Sequence, residues 1–198
     1  MTTTDYTSLL IDAGDYAGRD DVAHLFPRFL ALAELKLNRV MRIADMEKTT
    51  AVPLAEGEGS LPPDFLEARQ VLAADGRALR ALPLQELSSH GTSADAPIGY
   101  AIIGSAIEVR PKGGDNIHLT YYAKIPPLTA EAPSNWLIEK APDIYLYALV
   151  EEIAVWERDV SKAGAAEALK RQAMAGIGLA DERLRWGNAE IVIGGLTP

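Results

Sequence analysis

The chain contains no cysteine. Disulfides and thiolate metal sites are therefore excluded, and the fold is expected to be indifferent to redox conditions. Histidine is scarce, with three residues at positions 24, 90 and 118. No two of them stand at the helical spacing that turns a pair of imidazoles towards one zinc ion. His118 falls on a strand-like alternating stretch, where a solvated or hydrogen-bonded imidazole is the expected state. Positive charge is also in deficit: 19 Lys and Arg against 28 Asp and Glu give a formal charge of -9. A chain whose main task is to grip nucleic acid needs clustered cations to neutralise phosphates, so that class is excluded. Passage of nucleic acid without adhesion is compatible with this balance. No apolar run approaches the ~18 residues needed to span a bilayer, so no membrane role is expected. The first five residues are polar, and no basic start leads into an apolar segment, so no signal peptide is expected.

Catalytic patterns are missing as well. Tyr121 and Lys124 are one residue too close for the tyrosine–lysine pair of short-chain dehydrogenases, and no dinucleotide loop precedes them. Gly176-Ile177-Gly178 lies inside a helical pattern and lacks the third glycine of a dinucleotide loop. Gly104-Ser105 lacks the spacing of a nucleophile elbow. No Gly-Lys-Ser or Gly-Lys-Thr is present to cradle a phosphate. Glu151 and Glu152 are adjacent on a helix, so their side chains diverge by about 100° and do not easily share one ion. They read as a solvated or ion-paired face. Asp20–Asp21 and Asp181–Glu182 read as helix-start and surface acids. The expectation is a chain with no catalytic, cofactor-binding or metal-binding residue, requiring no cofactor and not acting as an enzyme.

What is present is an ordinary globular composition, 48% hydrophobic and 24% charged, able to bury a core. Leu9, Leu10, Ala13 and Ala17 follow a helical period that Gly18 ends. Asp20 and Asp21 read as N-caps of the next segment. Pro27 suits the first turn of a second helix that keeps its period to about Arg42. The pattern changes at Met46, where Thr49, Thr50 and Val52 favour a strand. Glu56 to Gly59 reads as a loop. Asp75-Gly76 reads as a tight hairpin turn with positive φ at both residues, joining Arg69–Ala74 to Arg77–Leu82. Ser88–Pro97 reads as a polar loop, and Gly104-Ser105 as the turn of a second hairpin. Ile117, Leu119 and Tyr121 alternate against His118, Thr120 and Tyr122.

Pro142 and Asp143 open a helix whose stretch from Ile144 to Val150 is apolar on nearly every face. Such a helix must be covered on several sides, by the β-rich region or by a neighbouring subunit. An alanine-rich last helix runs to about Trp186. The predicted fold is α+β: a helical bundle from the N- and C-terminal segments with an inserted antiparallel β-rich region built from hairpins. The expected divisions are 1–45 and 128–187 for the two parts of the bundle, 46–127 for the insertion and 188–198 for a tail. Trp136, Tyr145, Tyr147 and Trp156 read as core or interface anchors and are taken as candidate contacts between subunits.

Several segments carry more specific information. They are Ala33-Glu34-Leu35-Lys36-Leu37-Asn38-Arg39, Met46-Glu47, Leu61-Pro62-Pro63-Asp64-Phe65-Leu66-Glu67, and Pro97 with Tyr100. Further on stand Tyr121-Tyr122-Ala123-Lys124-Ile125-Pro126, Asn135-Trp136-Leu137 and Pro142-Asp143-Ile144-Tyr145-Leu146-Tyr147. In this order and spacing the chain resembles the head–tail adaptor (connector) proteins of tailed bacteriophages. The likeness runs from about Tyr6 to Trp186 and leaves the tail after Gly187 outside.

The resemblance implies a virion protein at the head–tail junction, made in the host cytoplasm. It implies a ring, of twelve copies, below the portal protein, with tail or nozzle proteins beneath it and double-stranded DNA passing non-specifically through the middle. It implies no catalytic residues. Within that frame Arg183, Arg185 and Trp186 become candidate portal contacts, with simple helix-dipole complementarity as the competing reading of the arginines. Ile191, Val192, Ile193 and Leu196 form a β-prone strip that suits strand addition to a partner sheet, with a frayed tail as the competing reading. A second function class, a small-molecule or glycan-binding β module carried on helices, would use the aromatics near Trp136 and Tyr100.

Overall fold

A computed structural model describes residues 3–91, 93 and 95–186. In chain order the elements are α1 (Tyr6–Ala17), α2 (Phe26–Val40), β1 (Glu47–Pro53), β2 (Glu58–Ser60), β3 (Phe65–Ala73), β4 (Arg80–Ala81), α3 (Leu84–Ser89), β5 (Gly99–Ile103), β6 (Ala106–Arg110), β7 (Asn116–Ala123), α4 (Trp136–Lys140), α5 (Pro142–Glu157) and α6 (Val160–Trp186). The fold is mixed α+β, with helices from both ends of the chain and a β-rich segment between them, as the sequence pattern predicts. It divides into two compact units, Met1–Ile43 with Ile125–Pro198, and Ala44–Lys124.

Local chemistry explains the helix ends of the first unit. The Asp5 carboxylate accepts the Ser8 N–H while the Ser8 hydroxyl accepts the Asp5 N–H, a reciprocal cap at the start of α1. Gly18 ends the helix in the left-handed conformation, φ 67°. Asp20 and Asp21 do not cap α2. They open a 3-10 segment, Asp20–Leu25, and Asp21 instead meets the Arg19 guanidinium at 2.7 Å. Pro27 lies in the first turn of α2, where its missing N–H costs nothing.

α5 buries Ile144, Tyr145, Ala148, Leu149, Val150, Ile153 and Ala154. The neighbours that cover it are α1, α2, α4 and α6 of its own unit. This corrects the expectation that the β-rich region or another subunit is needed to bury it. Four helices around one central helix are sufficient. α6 spans 27 residues, about 40 Å, whereas α5 spans 16, about 24 Å. α6 packs along α5 and presents Leu179, Leu184 and Trp186 exposed towards its end. The adjacent Glu151 and Glu152 are ion-paired, as one of the two expected readings has it, but they share one cation despite their divergence. Both reach the Lys36 ammonium, Glu151 at 3.5 Å, and Glu151 also takes Lys170. The long lysine stem absorbs the angular divergence.

The second unit holds two sheets, not the single hairpin-built antiparallel sheet expected. One has the order β1-β7-β3, antiparallel throughout, with β7 in the centre. The other has the order β2-β6-β5-β4, and its β4–β5 pair is parallel. On β7 the predicted alternation holds only in part, since His118 is exposed but Tyr122 is buried as well; the inward positions are held as expected by Ile117, Leu119 and Tyr121. These side chains join Val52, Val71, Ile107 and Val109 in the core of the unit.

Three local readings change. The stretch read as a loop at Glu56–Gly59 contains the start of β2, which pairs with β6. The region before the polar loop forms α3. At Asp75-Gly76 only Gly76 has positive φ, 84°. The Ala73 and Leu79 N–H groups bond Arg77 and Val71 carbonyls there, and the chain then leaves to form β4 beside β5. Gly99 permits that crossing: a Cβ there would lie 2.2 Å from Leu82 Cδ1.

Candidate functional site

The most specific sequence segments converge on two polar clamps, one in each unit. In the first, Glu34 and Asn38 stand one turn apart on α2. Glu34 Oε1 accepts the Leu128 N–H at 2.8 Å and the Tyr145 hydroxyl at 3.1 Å. Asn38 Oδ1 accepts the Ile125 N–H at 2.8 Å. Asn135 completes the clamp. Its Nδ2 donates to the Pro126 carbonyl and to the Tyr145 hydroxyl, and its Oδ1 caps α4 by accepting from Leu137 and Ile138. Glu34 is 8% exposed, and burial holds its carboxyl above the usual range despite the two donors. Burial, with the Glu34 charge beside it, also pushes the Tyr145 phenol far upward.

In the second unit Asp64 is the centre. Its Oδ1 accepts the Tyr121 hydroxyl at 2.9 Å and its Oδ2 meets the Lys48 ammonium at 2.7 Å. The Asp64 carbonyl accepts the Lys124 N–H, and Lys124 Nζ donates to the Pro63 carbonyl. Phe65 stacks on Tyr121 with centroids 5.7 Å apart. Burial raises the Asp64 carboxyl, but Lys48 and Tyr121 outweigh it and hold the group below its usual range. The Tyr121 phenol is pushed up to about 12, by burial first and by Asp64 second. Tyr121 and Lys124 are thus tied to the Pro-Pro-Asp segment.

The four aromatic anchors do not form one patch. Tyr145 is fully buried, with its hydroxyl held by Glu34 and Asn135. That corrects its assignment as a subunit contact: no surface of it is left for a partner. Trp136 opens α4 and is half-buried. Tyr147 and Trp156 lie on α5 about half a turn apart in angle. Tyr147 meets the edge of Tyr16 at 6.1 Å, whereas Trp156 lies under the Arg19 guanidinium at 5.4 Å and beside Phe29 at 6.3 Å. Sequence reasoning missed Arg19. It joins Asp21, Glu157 and the Trp156 ring, and those hydrogen bonds, Asp21 foremost, hold its guanidinium firmly protonated. No local motif announces a partner so distant in the chain.

At the end of α6, Arg183 and Trp186 are exposed, while Arg185 pairs with Asp181 at 2.8 Å and is half-buried. Ile191, Val192, Ile193 and Leu196 lie outside the described residues. Tyr100 is 9% exposed in the β core, so it offers no open face for stacking a ligand. A shallow groove of about 280 Å³ is lined by Pro53, Leu54, Ala55, Glu58, Gly59 and Ser60, none of them aromatic. Among the described residues no three His, Asp or Glu side chains gather to hold a metal ion, and no helix is long and apolar enough to cross a membrane.

Two polar clamps that fasten backbone to backbone, together with unlike contact faces, are features of a chain built to hold a shape. Such a chain suits the adaptor class. Comparison with family models matches the family described as SU10 adaptor protein over residues 4–192. The chain belongs to that adaptor family, consistent with the phage head–tail resemblance. The match reaches Val192, so part of the tail that the resemblance left outside falls within the family range. Comparison with curated proteins finds no match. Membership implies a virion component that interacts with other phage structural proteins.

Proposed function

We propose that this chain is the structural subunit of a ring at the head–tail junction, seated below the portal, with tail or nozzle proteins beneath it. The observation that carries this reading is the family match across residues 4–192, nearly the whole chain. A closed ring uses head-to-tail contacts, each subunit offering one patch to the next. Trp156, Tyr147 and Trp136 supply aromatic surface of the kind enriched at such contacts. Arg183, Arg185 and Trp186 at the end of α6 are the proposed portal-facing group, with the strip Ile191–Ile193 and Leu196 beyond it. No bond is made or broken in this role, and the subunit acts without a cofactor.

The DNA channel follows from charge. Twelve copies, each at -9, set up a field that disfavours adhesion of a polyanion. Duplex DNA is then expected to slide through without being held. Binding of duplex to the assembled ring should be weak at low salt, and tight, steeply salt-dependent binding would contradict the channel role.

Native mass measurement of the purified chain, alone and with portal protein, tests the reading. A closed oligomer, or a portal complex carrying many copies, is expected. A monomer under both conditions overturns it. Truncation from Ala189 onwards should leave the subunit folded but weaken portal docking, and unchanged docking would remove the tail from the proposal.

A further inference from the structure

We propose that α1 of one copy packs antiparallel against α2 of the next, with Ile11 seated beside Leu32 and Leu35 and Asp15 paired with Arg28. The inference rests on the ring reading above and names the two faces that close its repeating contact.

Each helix exposes apolar surface with a charge one turn away, and α2 carries a second exposed cation, Arg39, one turn beyond Leu35. On α2, Leu32 and Leu35 are 48% and 49% exposed, and exposed Arg28 stands one turn before Leu32. On α1, Ile11 is 59% exposed, and exposed Asp15 stands one turn after it. The four-residue spacing is the same on both helices, so Leu32 opposite Ile11 places Arg28 opposite Asp15 when the helices run in opposite directions.

Both charges are misplaced within their own chain. Arg28 lies in the first turn of α2, where the helix dipole disfavours a cation. Asp15 lies in the last turn of α1, where it disfavours an anion. Arg19 and Arg77 pair with carboxylates, whereas Arg28, like Arg39 and Arg80, forms no ion pair among the described residues. Among the described residues neither Arg28 nor Asp15 has a side-chain partner. The proposed packing reverses both penalties. It brings Asp15 to the N-terminal end of a neighbour's α2 and Arg28 to the C-terminal end of a neighbour's α1. Charge that is locally unfavourable and unpartnered in the single chain becomes complementary only between copies. The two faces are different surfaces, so the contact is head-to-tail and repeats around a ring.

The test uses the full-length chain and charge reversal. Arg28→Glu and Asp15→Arg each place a charge that suits its own helix dipole, so each variant should melt no lower than the wild type. Sedimentation and native mass spectrometry should show each variant alone losing the assembled species. An equimolar mixture should recover it, because alternating copies then match at every contact. If wild type assembles and either variant alone still does so, or the mixture fails to recover the oligomer, the face assignment is overturned while the ring reading stands. If wild type alone and with portal stays monomeric, both are overturned.

Discussion

Glu34 and Asn38, one turn apart on α2, hold the backbone N–H groups of Leu128 and Ile125 through their side-chain oxygens. A helix surface thereby fixes the path of an extended segment that has no ladder of its own. The Tyr145 hydroxyl and the Asn135 amide close the arrangement from the other side.

The buried Glu34 makes stability depend on pH in a stated direction. Its carboxyl is raised from an ordinary value of 4.5 by burial. The folded state therefore binds the proton more tightly than the unfolded state. Its stabilising contribution is complete below 4.5 and is lost as pH rises through the raised value. Denaturant titrations across that interval should show a decline in the wild type that Glu34→Gln flattens. An unchanged profile in the variant would remove Glu34 as the cause.

Two tyrosines two positions apart should respond unequally to loss of the hydroxyl. Tyr145→Phe leaves Glu34 with one donor fewer and the Asn135 amide with the Pro126 carbonyl alone, a cost of about 1–3 kcal/mol. The Tyr147 hydroxyl has no such partner among the described residues, and Tyr147→Phe should stay within ~0.5 kcal/mol of wild type. Chemical unfolding of both variants checks the contrast.

In the β-rich unit, Asp64→Asn should lower the Tyr121 phenol from about 12 towards its ordinary value of 10.0 without reaching it, because burial is the larger cause of the shift and survives the substitution. Phenolate absorbance during alkaline titration reads this directly. The same variant loses the Lys48 ion pair, which is half exposed and contributes little on its own.

Glycines in the two units should differ in sign. A Cβ at Gly59 would lie 2.8 Å from the Pro53 carbonyl and 2.6 Å from Val52 Cγ1, so Gly59→Ala should destabilise by about 1–3 kcal/mol. Gly164 in α6 has nothing described within 4 Å, and Gly164→Ala should stabilise by about 0.5–1 kcal/mol. Thermal melts of the two variants are the measurement.

Helix starts at Pro27 and Pro142 and the stop at Gly18 were legible because their causes lie within one turn of chain. β7 was legible from its alternation, but its neighbours were not. Thr49 and Thr120, whose hydroxyls meet at 2.9 Å, are 71 positions apart, and no local pattern announces that pairing. The parallel β4–β5 pair hid for the same reason, and α3 is too short to display a period. Tyr145 shows a further limit. A large aromatic on an apolar helix carries the same signal whether it is covered by its own chain or by another, and only the buried Glu34 and Asn135 decide the matter. The clamps escaped because Glu34 reaches Leu128 across 94 positions, although the segments that form them were the most distinctive in the sequence.

The chain departs from the helical unit just after Met41, whose N–H still bonds Leu37 at the close of α2, and it comes back at Ile125, whose N–H is fastened to Asn38. Departure and return therefore meet at one helix end. Everything between them is a detour with a closed mouth, and the loop-closure cost at that mouth rises only slowly with the length of the detour. The β-rich segment is in this sense an exchangeable cassette. Replacement of the segment by a short linker is then expected to leave the spacing of α1, α2, α5 and α6 undisturbed.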